Sequence, residues 1–215
     1  MYSTHKPDWG DYCMDSETPV RNEGGSMISH EHSGISPLFG TYGEQPPAIV
    51  AIVGRSGSGK TTLIEALVPD LMCRGFRVGV IKHHHRDSAF DVADKDTGRF
   101  SRSGAEIVVG MSPAQVAVFR TPSRSPEIDA VVGEHMTDTD LVLIEGGRSS
   151  AYPKIEVHRA DNSDDLLCDP TELCAIVSDA SWSVGVPVLD PAAVSAIAGF
   201  IAGLVCSHPT ASAAH

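Results

Sequence analysis

Apolar and polar positions follow two alternating patterns from Ala48 to the end of the chain. Short runs rich in β-branched residues predict strands, and several are so continuous that both of their faces should be covered. Apolar residues spaced three or four positions apart predict helices between the strands. Strands are predicted at residues 48–54, 77–83, 105–111, 115–120, 140–146, 154–159, 173–179 and 186–190. Helices are predicted at residues 60–74, 96–104, 126–136 and 191–206.

This alternation predicts an α/β fold with a doubly wound, mostly parallel sheet. The segments 115–120 and 154–159 lack a clear crossover helix before them, so some antiparallel pairing is expected there. As edge strands they could also pair between two subunits. Pro69 is expected to kink or end the first helix, and Gly75 is expected to cap it.

The chain divides into three parts by composition. Residues 1–47 are rich in Gly, Ser and Pro and have no apolar period, which predicts a disordered N-terminal extension. Residues 48–207 form the predicted domain, and residues 208–215 a flexible tail. A chain of 215 residues is long enough for one α/β domain with a buried core.

Net charge and cysteine usage narrow the class of protein. The formal net charge of -12 disfavours binding to nucleic acid or to an anionic membrane through bulk electrostatics. No apolar run approaches the roughly 20 residues that span a bilayer. The five cysteines are odd in number and lack C-x-x-C spacing, which predicts reduced thiols and a cytoplasmic protein.

A phosphate-binding motif follows the first predicted strand. The sequence "GRSGSGKT" at residues 54–61, named the phosphate loop here, matches G-x-x-x-x-G-K-S/T in full. Glycines let successive N–H groups converge on one oxyanion, the lysine reaches the β- and γ-phosphates, and the threonine hydroxyl ligates Mg²⁺. The residues expected to hold a nucleoside triphosphate are Gly54, Arg55, Ser56, Gly57, Ser58, Gly59, Lys60, Thr61 and Thr62.

A carboxylate ends the apolar strand in "DLVLIEGG". In proteins with a phosphate loop, a carboxylate at this position joins the Mg²⁺ shell or positions a water molecule. Glu145 is therefore predicted to hold the metal together with Thr61, and to act in catalysis together with Lys60.

The segment 81–105, "IKHHHRDSAFDVADKDTGRFSRSGA", is dense in histidine, aspartate and basic residues. It follows a predicted parallel strand, which places it where α/β proteins bind ligands. Three interpretations stay open. It could hold a metal through His83 and His85, which share one side of an extended chain. It could form a second anion site with Lys82, or it could be a solvated loop.

Three motifs in this order resemble the MobB family of adaptors in molybdopterin guanine dinucleotide biosynthesis. They are the phosphate loop with its helix, the histidine and aspartate segment, and "DLVLIEGGRSSAYPKIEVHR". The resemblance covers about residues 48–200 and implies a P-loop NTPase-like fold that binds GTP and Mg²⁺ and hydrolyses GTP weakly at most. By position, the residues lining a pocket beside the nucleotide would be His83, His85, Asp91, Lys95 and Asp96.

The resemblance also implies partners. A MobA-like guanylyltransferase, which joins GMP to molybdopterin, would be the main one, with molybdopterin and a molybdoenzyme as further candidates and a homodimer as the assembly. Asp179, at the end of a late predicted strand, could accept hydrogen bonds from guanine N1 and N2, or it could simply cap a turn. The alternative functions are a small-molecule kinase and a metallochaperone GTPase that uses the histidine segment.

Overall fold

The computed structural model describes residues 46–83 and 95–207. The predicted N-terminal extension up to residue 45 and the predicted tail at 208–215 lie outside these ranges. The strands are Ala48–Val53 (β1), Val78–Lys82 (β2), Ile107–Met111 (β3), Val116–Arg120 (β4), Leu141–Glu145 (β5), Lys154–His158 (β6), Leu173–Ser178 (β7) and Val188–Leu189 (β8). The helices are Lys60–Cys73 (α1), Asp96–Arg102 (α2), Ile128–His135 (α3) and Val194–Ser207 (α4), with a 3-10 turn at Pro170–Glu172.

A six-stranded parallel sheet in the order β2-β5-β1-β6-β7-β8 forms the centre of the domain. The predicted mixed α/β fold with a mostly parallel sheet is therefore confirmed. The prediction that residues 154–159 contribute an antiparallel edge strand is wrong, because β6 lies between β1 and β7 and is parallel to both.

Helices and loops cover both faces of this sheet. On one face, α1 and α4 pack together and bury Leu67, Leu71 and Ile201 completely against the strands. On the other face, Val132 of α3 packs with Val142 and the residues around it. Burial on both faces explains why β1 and β5 are almost purely apolar in sequence.

The predicted antiparallel pairing occurs in a separate hairpin of β3 and β4. Helix α2 packs on one face of this hairpin, and the methyl group of Thr97 lies near Gly110. The opposite face carries apolar side chains that are each at least 49% exposed. These side chains, named the hairpin face here, are Ile107, Val109, Met111, Val116 and Val118.

Strand β6 buries charged and polar side chains in the middle of the sheet. Lys154, Glu156 and His158 are each at most 6% exposed. The Glu156 carboxylate accepts hydrogen bonds from the backbone N–H groups of Leu167 (2.6 Å) and Cys168 (2.9 Å). Burial of this carboxylate is tolerated because its oxygens have hydrogen-bond donors.

Local predictions for α1 and the cysteines have mixed outcomes. Helix α1 continues through Pro69 to Cys73, so the proline does not end it. Gly75 adopts a positive φ, and its N–H bonds to the carbonyl of Met72 while the next N–H reaches that of Leu71, which confirms the predicted cap. The expectation of reduced thiols holds for Cys168, Cys174 and Cys206, which are free, but is wrong for Cys73, which is disulfide-bonded.

No helix within residues 46–83 and 95–207 is long and apolar enough to cross a membrane.

Candidate functional site

The phosphate loop joins the carboxyl end of β1 to the first turn of α1, as its sequence predicts. Gly54, Gly57 and Gly59 have φ values of +144°, +79° and +96°, which favour glycine. A Cβ atom on Gly54 would lie 2.3 Å from the carbonyl oxygen of Val157 in β6. The loop can therefore lie directly on the central sheet only because residue 54 has no side chain.

Lys60 folds back across the phosphate loop. Its Nζ donates hydrogen bonds to the carbonyl oxygens of Gly54 (3.1 Å) and Arg55 (2.7 Å). Desolvation lowers the pKa of Lys60, the charge of Glu145 opposes this shift, and Lys82 adds to it. A partly desolvated ammonium group that is held in place by carbonyl groups can interact favourably with an anion bound at the loop.

Thr61 and Glu145 come together although they are 84 positions apart in the chain. The Thr61 hydroxyl donates to Oε1 of Glu145 over 2.9 Å, and Nζ of Lys82 lies 3.6 Å from Oε2. Glu145 reaches this position because β5 is paired in parallel with both β1 and β2, so the three strands end at the same edge. A hydroxyl and a carboxylate oxygen are donors that suit Mg²⁺, so the residues present fit this ion.

The backbone after Glu145 passes very close to the end of β2. Gly146 has a φ of +103°, and a Cβ atom there would lie 2.4 Å from the carbonyl oxygen of His83. The N–H of Gly146 also bonds to the carbonyl of Ile52 in β1 over 2.9 Å. The paired glycines of the sequence thus bring the β5 loop against both neighbouring strands. His83, at the end of β2, lies beside this loop.

The loop after β6 forms the other wall of the phosphate loop. The guanidinium of Arg159 lies beside Gly59, with Nη2 3.5 Å and Nε 3.7 Å from the position of a Cβ atom on that glycine. Nδ2 of Asn162 donates to the carbonyl oxygen of Ser56 over 3.0 Å. Neither residue is among those predicted from the sequence, because residues 154–159 are interpreted there as an antiparallel edge strand. If residues 154–159 are interpreted as a parallel strand, the carboxyl end of that strand is expected at this site.

Asp179 lies at the end of β7, as predicted, and holds the β6 loop. Its Oδ1 accepts a hydrogen bond from the N–H of Ala160 over 3.0 Å, and its Oδ2 lies 3.6 Å from Nη1 of Arg159. The hydrogen bond from Ala160 lowers the pKa of this carboxyl group.

A polar network ties the ends of β6 and β7 together. Nε2 of His158 is 2.8 Å from the carbonyl oxygen of Ser163, so this nitrogen carries the proton, and Nδ1 is 3.0 Å from the Ser178 hydroxyl. The Ser178 oxygen accepts from the N–H of Ala180 and from Nε1 of Trp182, whose ring packs edge-on against the imidazole. This network fixes where the chain leaves β6.

Two of the remaining predicted site residues lie at the start of α2, and two lie outside the described residues. Lys95 and Asp96 begin α2, which contacts β3 and β4, and Asp96 pairs with Arg99 at 3.5 Å. His85 and Asp91 lie outside the described residues. Within residues 46–83 and 95–207, no group of three or more His, Cys, Asp or Glu side chains is arranged to hold a metal.

Residues 49–179 match the family model described as MobB, molybdopterin guanine dinucleotide synthesis protein B. The chain is 33% identical over 154 residues to a curated molybdopterin-guanine dinucleotide biosynthesis adapter protein of Haemophilus influenzae, covering 71% of this chain and 86% of the relative. A protein of the same name from Escherichia coli is 32% identical over 158 residues, covering 71% of this chain and 90% of the relative.

A solved structure supports the same comparison. The crystal structure of a molybdopterin-guanine biosynthesis protein B superposes with a TM-score of 0.55 at 30% identity, covering 74% of this chain and 99% of the other.

Proposed function

The chain belongs to the MobB family, and from this membership we propose that it is a GTP-binding adapter that assists a guanylyltransferase. Its role in molybdenum cofactor biosynthesis follows from the family and from curated relatives named adapter proteins for molybdopterin-guanine dinucleotide biosynthesis. Neither the kinase nor the metallochaperone alternative has a supporting feature among the described residues.

The contact between Thr61 and Glu145 is the observation that carries the nucleotide proposal. It joins the first turn of α1 to the end of β5, beside the ammonium group of Lys60. The residues proposed to hold the triphosphate are Gly54, Arg55, Ser56, Gly57, Ser58, Gly59, Lys60, Thr61 and Thr62. Thr61 and Glu145 would hold Mg²⁺, which neutralises phosphate charge when it is bound.

We propose that turnover of the nucleotide is slow, as the resemblance of the chain to the MobB family implies. Lys60 would neutralise charge on the β- and γ-phosphates, and Glu145 would hold the metal or a water molecule. The neighbouring side chains Lys82 and His83 lie at the end of β2, next to the β5 loop. They are proposed to line the part of the pocket where the γ-phosphate ends.

The test is calorimetric titration of GTP into Lys60→Ala in the presence of Mg²⁺. Loss of the ammonium group removes charge-assisted bonds to two phosphates, so affinity should fall by roughly a hundredfold or more. Arg74→Ala is the matched control, because Arg74 lies at the far end of α1, about 20 Å along its axis, and pairs with Asp70 there. GTP affinity that is unchanged in Lys60→Ala would refute the proposal.

The partner is proposed to be a MobA-like guanylyltransferase loaded with molybdopterin. The purified adapter should increase the yield of guanine dinucleotide formed by that enzyme from GTP and molybdopterin. The Lys60→Ala protein should not. An equal yield with and without the wild-type adapter would remove this partner from the proposal.

A homodimer is proposed to form through the hairpin face. A two-stranded sheet is marginal by itself. Helix α2 packs against the face opposite the hairpin face, where the Thr97 methyl group lies near Gly110. An exposed stripe of five large apolar side chains is typical of an interface, and a two-fold axis would pair it with itself. Val109→Glu should convert the dimer to a monomer in light scattering after gel filtration. A wild-type protein that is monomeric at micromolar concentration would contradict the dimer.

A further inference from the structure

The guanidinium of Arg159 is a planar cation beside the phosphate loop, and the proposed roles of the loop and of Glu145 leave it unused. It projects from the end of β6 and lies next to Gly59, while the side chain keeps 44% of its surface exposed. Because the guanidinium lies beside the phosphate loop and the side chain is partly exposed, a ligand held by that loop can contact it directly.

The order of strands decides which end of a nucleotide reaches Arg159. The Thr61 hydroxyl reaches Glu145 at the end of β5, so the Mg²⁺ and the terminal phosphates belong on the β5 side of β1. β6 and β7 lie on the other side of β1. A nucleotide whose phosphates point toward β5 must therefore extend its nucleoside over the ends of β6 and β7.

Contacts within the protein hold the β6 loop in place. Asp179 accepts a hydrogen bond from the N–H of Ala160 and lies 3.6 Å from Arg159. On the opposite side, Asn162 bonds to the carbonyl of Ser56 in the phosphate loop. These contacts restrict where the guanidinium can lie, so a ligand would lose little entropy in ordering it.

We propose that Arg159 packs its guanidinium plane against the purine base of the bound nucleotide, and that Asp179 is a positioning residue for Arg159. This inference rests on the proposed nucleotide binding at the phosphate loop. Guanidinium groups stack on aromatic faces as planar, weakly hydrated cations, and every purine offers such a face. Arg159 therefore contributes affinity for the nucleoside without distinguishing guanine from adenine.

This role of Asp179 differs from that of a direct acceptor for guanine N1 and N2. Its Oδ1 is already engaged by the N–H of Ala160, and its Oδ2 faces the Arg159 cation. If Asp179 accepts hydrogen bonds from guanine directly, Asp179→Asn should lower the affinity for GTP and raise the affinity for XTP. If Asp179 only positions Arg159, Asp179→Asn should lower the affinities for GTP and ATP by similar factors, as Arg159→Ala does.

The experiment measures the affinities of GTP, ATP, XTP and inorganic tripolyphosphate by calorimetry with Mg²⁺ present. Arg159→Ala should weaken GTP and ATP by roughly five- to thirtyfold and leave tripolyphosphate unchanged, because only the base is lost as a partner. Arg159→Lys should recover only part of the loss, since an ammonium group cannot stack as a plane. Arg74→Ala, which removes another arginine paired with an aspartate, should leave all four affinities unchanged.

The outcomes separate this inference from the proposed function. If wild type binds tripolyphosphate and GTP but Arg159→Ala binds GTP as tightly as wild type, the stacking role is overturned. If Arg159→Ala lowers the affinity for tripolyphosphate as well as for GTP, Arg159 contacts phosphate and the inference is again overturned. A gain in XTP affinity with Asp179→Asn overturns the positioning role. If wild type binds none of the four, the proposed nucleotide binding itself fails. Circular dichroism melting checks that each variant is folded.

Discussion

Replacing Gly54 with alanine should damage the domain far more than the same replacement at Gly57. Both glycines lie in the phosphate loop and both have positive φ values, +144° and +79°. They differ in their surroundings. A Cβ atom on Gly54 would meet the carbonyl oxygen of Val157 at 2.3 Å and Oγ of Ser58 at 2.8 Å, whereas a Cβ atom on Gly57 would meet nothing within 4 Å.

The magnitudes follow from these surroundings. At Gly57, alanine must adopt a left-handed backbone, which lowers the free energy of unfolding by about 1 kcal/mol and is partly offset by the lower entropy of the unfolded chain. At Gly54, the unfavourable backbone conformation costs about 1–3 kcal/mol. The alanine side chain must also displace a carbonyl of the central strand β6, which costs about 1–3 kcal/mol more. A combined loss of about 2–6 kcal/mol is a large part of the roughly 5–15 kcal/mol that stabilises a typical domain.

Urea denaturation followed by circular dichroism measures both free energies of unfolding. Gly54→Ala should shift the midpoint to much lower urea, and Gly57→Ala should shift it slightly, with equal slopes in the two variants. GTP titration of the folded Gly54→Ala protein should show weakened binding, since the loop must lift from the sheet. Equal losses of stability in the two variants would show that the contact with Val157 does not limit residue 54.

Two further predictions concern ionisable groups. Asp140→Ala should lower the free energy of unfolding by about 1–2 kcal/mol in urea denaturation, because Arg77 donates two side-chain bonds and one N–H bond to this carboxylate at the start of β5. Hydrogen bonds from Arg77 lower the pKa of Asp140, so its contribution is present above the ordinary value of 3.8 and is lost as the pH falls through the folded pKa. The lowered pKa of Lys60 should rise when the phosphates of GTP bind beside it, so binding at alkaline pH should be accompanied by proton uptake. Calorimetry should detect this uptake as a binding enthalpy that depends on the buffer. The Lys60→Ala variant should show no such buffer dependence.

The sequence by itself determined the order and type of the elements, the phosphate loop and the carboxylate of Glu145. These features depend on local periodicity or on a contiguous motif, which a single chain displays directly. The contact of Thr61 with Glu145 could also be predicted, since carboxyl ends of parallel strands meet at one edge of a sheet.

The place of β6 and the residues that follow it was decided only by the tertiary structure. Alternation of Lys154, Glu156 and His158 with apolar residues is the pattern of a half-exposed strand, yet all five residues are buried in the centre of the sheet. Their polar groups are satisfied by partners several to twenty positions away along the chain, such as the N–H of Leu167 and the hydroxyl of Ser178. Local periodicity does not identify partners that are distant in the chain. The contact between the β6 loop and the phosphate loop is therefore visible only in the assembled sheet.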